Sequence, residues 1–122
     1  KEITYTHSEA YAAGELKHGT ISLVEDGTLV VSLATQPELY KKTISNTAEV
    51  ICRGARVFAL TFRDNPTLVQ NAEFSLILPD IDPIFSASLS VVPLQLFAYY
   101  VSLARGLDVD KPRNLAKSVT VE

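Results

Sequence analysis

The stretch Thr28–Phe62, TLVVSLATQPELYKKTISNTAEVICRGARVFALTF, decides the fold class. It opens on Thr28–Ala34 (TLVVSLA), a run of β-formers with little charge, the pattern of a strand covered on both faces. Pro37 then stands where a helix can begin, because its missing N–H costs nothing in a first turn. Leu39, Tyr40, Ile44, Thr47, Ala48 and Ile51 form the apolar face of that helix, and Gly54 ends it, since glycine takes the left-handed cap cheaply. Arg56–Phe62 (RVFALTF) is a second strand of the buried type. Strand, helix and strand in this order predict neighbouring parallel strands in a layered α/β fold.

Working outward, Glu25-Asp26-Gly27 is a turn before the first strand. Downstream, Arg63–Asn71 reads as a polar connection containing Asn65-Pro66, and Ala72–Leu78 (AEFSLIL) as a third strand. Pro83–Arg105 is apolar nearly all round and is expected to be a buried helix, kinked at Pro93 and ended by Gly106. Upstream, Ile3–Gly14 carries Ile3, Tyr5, His7, Ala10 and Tyr11 at helical spacing, so a helix is expected there, with His7 packed on it. Glu15–Thr20 is a loop between Gly14 and Gly19, and Ile21–Val24 is either a helical turn or a strand. The tail 107–122 is polar, and Pro112 breaks any helix in it. Three strands are few for such a sheet and the leading helix follows no strand, so the N-terminal part of the fold is expected to be missing. The absence of methionine fits either a removed initiator or an excerpt of a longer protein.

Composition narrows the function classes. The chain has 122 residues, with 11 Lys and Arg against 14 Asp and Glu, a net charge of −3. That balance argues against nucleic acid or an anionic membrane as the main partner. A single cysteine, Cys52, rules out an internal disulfide framework. No uninterrupted apolar run nears the ~20 residues of a membrane helix and no basic-then-apolar leader is read, so neither a membrane span nor a signal peptide is expected. Dinucleotide, P-loop, zinc-protease and nucleophile-elbow motifs are missing, so neither cofactor nor metal is expected.

Three polar groups could carry chemistry. Lys17-His18 lies between glycines in a loop, where an imidazole could reach a ligand or simply be an exposed basic pair. The tail Arg113-Asn114-Leu115-Ala116-Lys117 sets two cations and an amide among small or apolar residues. A lysine in a setting of low polarity can form an imine with a carbonyl, and the competing reading is a solvated tail. Glu2, Glu9 and Glu15 fall on different faces of a helix and do not make a carboxylate pair. Tyr99-Tyr100 reads as core or interface, and Cys52 as an unreactive thiol.

Two segments go further. Glu9–Gly19 (EAYAAGELKHG) and Pro112–Glu122 (PRNLAKSVTVE), with Pro93-Leu94-Gln95-Leu96 and Asp108-Val109-Asp110 between them, resemble the glutamine–fructose-6-phosphate amidotransferase family, also called glucosamine-6-phosphate synthases. The resemblance covers essentially the whole chain and implies a fragment of the second sugar-isomerase (SIS) subdomain, with 107–122 as a tail at the active site. It implies a cytoplasmic homodimeric enzyme that turns fructose 6-phosphate and glutamine-derived ammonia into glucosamine 6-phosphate. The glutaminase domain, the first SIS subdomain and the phosphate-binding loop would lie elsewhere in the parent chain.

By match to the family motif, Glu2 would shuttle the proton between C1 and C2, favoured as carboxylate at a helix start. His18 would assist ring opening from across a dimer interface. Lys117 would form an imine with the ketose or help open the ring, while Arg113, Asn114 and Ala116 would bind and enclose the sugar. Thr20 departs from a usual proline and Tyr100 from a common histidine, and neither is an assigned residue. The competing functions are another SIS-type isomerase or deglycase, or a sugar-phosphate-sensing module without catalysis.

Overall fold

The computed structural model describes residues 1–62 and 65–113. They fall into two compact units: Ala10–Ser90, and Lys1–Glu9 together with the chain from Val91 onward.

The larger unit is built on three parallel strands, β1 (Leu29–Ala34), β2 (Arg56–Thr61) and β3 (Phe74–Ile77), in the order β1-β2-β3. Helix α1 (Tyr40–Ile51) follows a short 3-10 turn at Pro37–Leu39 and connects β1 to β2. The layered, mainly parallel α/β expectation therefore holds, with strand limits within two residues of those predicted.

One side of the sheet carries the core, where Ala34, Val57 and Ala59 pack with Val50 of α1 and Leu68. Burying Val57 or Leu68 is worth about 1.5–3 kcal/mol each before conformational entropy is subtracted. A hydroxyl pair crosses the same layer: Ser32 Oγ and Thr47 Oγ1 are 2.8 Å apart, and Thr47 already donates to the Thr43 carbonyl. Ser32 is therefore the donor to Thr47, and both buried hydroxyls are satisfied.

The end of α1 is set by one close approach. Gly54 has φ +88°, and a Cβ there would lie 2.8 Å from Asp26 Cα. The Gly27 N–H donates to the Gly54 carbonyl at 2.9 Å, and Arg56 N–H to the Thr28 carbonyl at 2.9 Å. The turn before β1 is thus tied to the turn before β2, and the register Leu29↔Arg56 follows from that junction.

Several sequence expectations need correction. Ile3–Gly14 is not a helix: a single turn, closed by Tyr5 N–H on the Lys1 carbonyl, gives way to irregular chain up to Ala13. β-branched Ile3, Thr4 and Thr6 are weak helix formers. The Thr4 hydroxyl accepts from the Thr6 N–H, and Tyr5 sits at φ 53°, a left-handed conformation that no helix contains. His7, expected to be packed, has 81% of its side chain exposed. Glu15–Thr20 is not open loop but 3-10 structure, Ala13–His18 and then Thr20–Leu23, broken at Gly19. The connection around Asn65-Pro66 contains a helix, α2 (Pro66–Asn71), whose N-cap Asn65 accepts from Leu68 N–H at 3.2 Å.

The long apolar segment is also different from its expectation. A 3-10 turn, Pro83–Phe85, leads into α3 (Ser86–Ala104), which runs as one helix through Pro93. The segment is not buried: Ile84 and Phe85 of the turn and Val92, Leu96 and Tyr100 of α3 are exposed, and the deeply buried positions are the hydroxyls Ser86, Ser90 and Ser102. Ser90 and Ser102 return their hydroxyls to carbonyls one turn back. By length and composition alone, Pro83–Ala104 would pass as a membrane span. The expectation of no such segment counted only unbroken apolar runs, and serines interrupt this one. The sheet too has uncovered apolar residues at its margins, Leu29, Leu33 and Phe74, so β1 is not covered on both faces.

On the solvent side, Arg56 and Glu73 form a bidentate ion pair across β2 and the start of β3. The hydrogen bond from Arg56 holds the Glu73 carboxyl below its ordinary value, and Glu73 raises the Arg56 guanidinium.

Two outcomes follow for the full-length protein. Gly54→Ala should cost roughly 2 kcal/mol or more, since it adds left-handed strain to a backbone clash; urea denaturation reads this as a lower midpoint. Glu73 has a depressed folded-state pKa, so the pair stabilises above the ordinary carboxylate range and is lost as pH falls through the depressed value. Glu73→Gln should therefore lower the melting temperature slightly at neutral pH and not in strong acid, with a difference that shrinks as salt is added.

Candidate functional site

The Gly14–Gly19 segment is held rigidly. Leu16 packs against the core on one side of the 3-10 helix Ala13–His18, as do Ile21 and Val24 just beyond it. Lys17 pairs with Glu49 of α1 at 2.5 Å. Gly19 follows at φ 138°, and its carbonyl accepts from the Ser22 hydroxyl at 2.6 Å. With Leu16 inward and Lys17 tied to α1, His18 is exposed and makes no ion pair or hydrogen bond among the described residues. The basic pair is therefore divided, Lys17 fixing the segment and His18 remaining available.

In the smaller unit, Glu2 is exposed inside the turn that Tyr5 N–H closes on the Lys1 carbonyl at 2.8 Å. No helix starts there, contrary to the expectation that placed Glu2 at a helix start. The turn is pinned from the distant end of the chain. Arg105, just after α3, donates from Nη1 to the Thr4 carbonyl and to Thr6 Oγ1, both at 2.8 Å. The backbone N–H of Arg113 donates to Tyr5 Oη at 2.8 Å, and the Arg113 guanidinium stacks 3.7 Å from the Tyr5 ring centroid. Such a stack at an exposed site is worth about 0.5–1 kcal/mol. The left-handed Tyr5 backbone costs about 1–3 kcal/mol, and these contacts offset part of that strain.

Arg113, predicted to bind substrate, is thus engaged by Tyr5. Asn114, Ala116 and Lys117 lie outside the described residues. Sequence reasoning missed Tyr5, Thr4, Thr6 and Arg105 as a group. No periodicity signals pairs about a hundred positions apart; the available local signal is the weak helix propensity of Thr4 and Thr6.

A separate cleft of about 380 Å³ opens at the carboxyl ends of the strands, the usual ligand position in open α/β sheets. Thr35, Phe62, Asp80 and Asp82 line it, and Glu2, His18 and Arg113 do not. Asp82 is committed to capping, accepting from Ile84 N–H at 3.0 Å. Among the described residues no three His, Cys, Asp or Glu side chains gather to hold a metal ion. Cys52 is an exposed free thiol, and Tyr99 and Tyr100 meet edge to face at 5.3 Å on an exposed stretch of α3.

Comparison with known proteins fits this architecture. The chain is similar to the glutamine–fructose-6-phosphate aminotransferase (isomerizing) of Clostridium tetani, with 58% identity over all 122 residues. The proteins of the same name from Caldanaerobacter subterraneus and Thermus thermophilus are 55% and 49% identical over the same length. The chain spans about a fifth of the length of these curated relatives, 20% in each case. Among solved structures, the C-terminal domain of glucosamine-fructose-6-phosphate aminotransferase from Francisella tularensis superposes with a TM-score of 0.77 at 35% identity, over 88% of this chain and 30% of that one. The SIS domain family model matches residues 1–105, and the chain belongs to the SIS domain family.

Proposed function

We propose that this chain is the C-terminal part of the isomerising half of a glutamine–fructose-6-phosphate aminotransferase, the later portion of its second SIS subdomain. One observation carries the reading: relatives of that name match every residue of the chain, at up to 58% identity among those compared. Residues 107–122 are the active-site tail in this reading. A glutaminase domain and a first SIS subdomain, with the sugar phosphate's binding loop, belong to the rest of the parent chain.

The reaction needs an open-chain sugar, an electrophilic carbon at C2 and a proton moved between C1 and C2. His18, exposed on a braced 3-10 turn, supports a role in ring opening on a neighbouring subunit. Lys117 supplies the amine that forms an imine with the ketose, with loss of water. Ammonia displaces that amine, and Glu2 carries the proton from C1 to C2. Arg113, Asn114 and Ala116 bring the tail to the sugar, where exclusion of water favours ammonia as nucleophile. The homodimer and the remainder of the parent chain cover the apolar residues that α3 and the sheet margins expose. Phosphorylated sugars are charged and stay within the cell that makes them, which favours a cytoplasmic enzyme over a membrane-spanning role for α3.

In the full-length enzyme, Lys117→Ala should abolish glucosamine 6-phosphate formation while glutamine hydrolysis remains measurable; undiminished synthesis would remove the imine role. Mixed dimers of Glu2→Gln and His18→Ala subunits should regain some of the activity that each homodimer lacks, because one composite site per dimer stays intact. Failure of that rescue, with mixed dimers demonstrated by native mass spectrometry, would count against a site shared between subunits.

A further inference from the structure

We infer that Tyr5 is a positioning residue that fixes the start of the lysine-bearing tail against the turn carrying Glu2; the inference rests on the function proposed above. Its backbone and side chain act on different partners. The Tyr5 N–H closes the turn containing Glu2, by its bond to the Lys1 carbonyl at 2.8 Å. The side chain holds Arg113 twice, through Oη to the backbone N–H and through the ring face to the guanidinium. One residue thus joins the candidate base to the chain that leads to the candidate amine.

The backbone conformation supports this assignment. A bulky aromatic residue at φ 53° is an outlier, and strain of this kind persists only where surrounding contacts enforce it. The contacts are present on both sides: Arg105 clamps the Thr4 carbonyl and the Thr6 hydroxyl, the neighbours before and after Tyr5. If packing alone mattered, glycine or asparagine would occupy this position without penalty. A tyrosine is explained by what its ring and hydroxyl do. Lys117 follows Arg113 by four residues, a span of at most about 14 Å of extended chain, so where Arg113 is held limits where the amine can arrive.

The test uses the full-length enzyme and three variants. Tyr5→Asn tolerates the left-handed backbone but removes the ring and its hydroxyl. It should keep or raise the melting temperature and retain glutamine hydrolysis, while kcat for glucosamine 6-phosphate formation falls on the order of ten- to a hundredfold, with KM for fructose 6-phosphate changed much less. Tyr5→Phe keeps the stack and should retain at least about a third of kcat. Wild-type kcat in Tyr5→Asn overturns the inference. So does a loss of both activities together with a lower melting temperature, which would mark a merely structural residue, and so does a Tyr5→Phe enzyme as impaired as Tyr5→Asn. Lys117→Ala is measured beside them. Its undiminished synthesis defeats the proposed function itself, whereas its inactivity combined with a normal Tyr5→Asn enzyme defeats only the positioning role.

Discussion

The larger unit depends on the close approach of Gly54 to Asp26. Parallel strands cannot be joined by a tight turn, so β1 and β2 must be brought into register by a returning helix, and any error in where α1 stops is passed to the strand after it. The Gly54 carbonyl takes the Gly27 N–H, and one strand position on, Arg56 N–H reaches the Thr28 carbonyl. Turn, helix end and first strand pair are a single junction. With that register set, Val57 and Ala59 face Val50 of α1, and Ser32 reaches Thr47. Against α1, in turn, Lys17 and Leu16 fasten the segment that presents His18. The placement of an exposed imidazole is therefore traceable to a helix terminus more than thirty residues downstream.

Helix α3 poses the opposite case. An amphipathic helix in a self-sufficient domain buries its large apolar side chains and exposes its polar ones. In α3 the deeply buried positions are serines, while Leu96, Tyr99 and Tyr100 are among the exposed ones. Large exposed apolar side chains need a further covering layer. Such exposure is in keeping with a chain that spans a fifth of its relatives' length. It also explains how a helix can have the length and composition of a membrane span within a family of SIS domains.

The strands were legible because little competes with their signal. TLVVSLA and RVFALTF are short, β-branched and nearly uncharged, and Pro37 and Gly54 mark the helix between them. Helix α2 was legible in principle, since Asn65 and Pro66 are an N-cap followed by a first-turn proline, but six residues offer too little periodicity to outweigh a polar composition. The N-terminal expectation failed for a different reason. Spacing of Ile3, His7 and Tyr11 suggested a helical face, yet Thr4 and Thr6 bond locally and Tyr5 turns left-handed, in contacts completed by Arg105 and Arg113. Those two arginines lie about a hundred residues away, where local propensity has no access. Of the candidate site, Lys17-His18 and the Arg113–Lys117 tail stand out as polar groups in the sequence and take specific roles only by resemblance, whereas the tie of Lys17 to α1 required the position of Glu49.

The His18 segment and the Glu2 turn are held by different kinds of interaction. The His18 segment is braced through buried Leu16 neighbours and an ion pair that salt can weaken, while the Glu2 turn is braced through neutral carbonyl and hydroxyl acceptors and an aromatic face. Hydrogen bonds from a guanidinium to such neutral acceptors, and its stacking on a ring, need no carboxylate partner, so added salt weakens the bracing of the Glu2 turn less than it weakens an exposed ion pair.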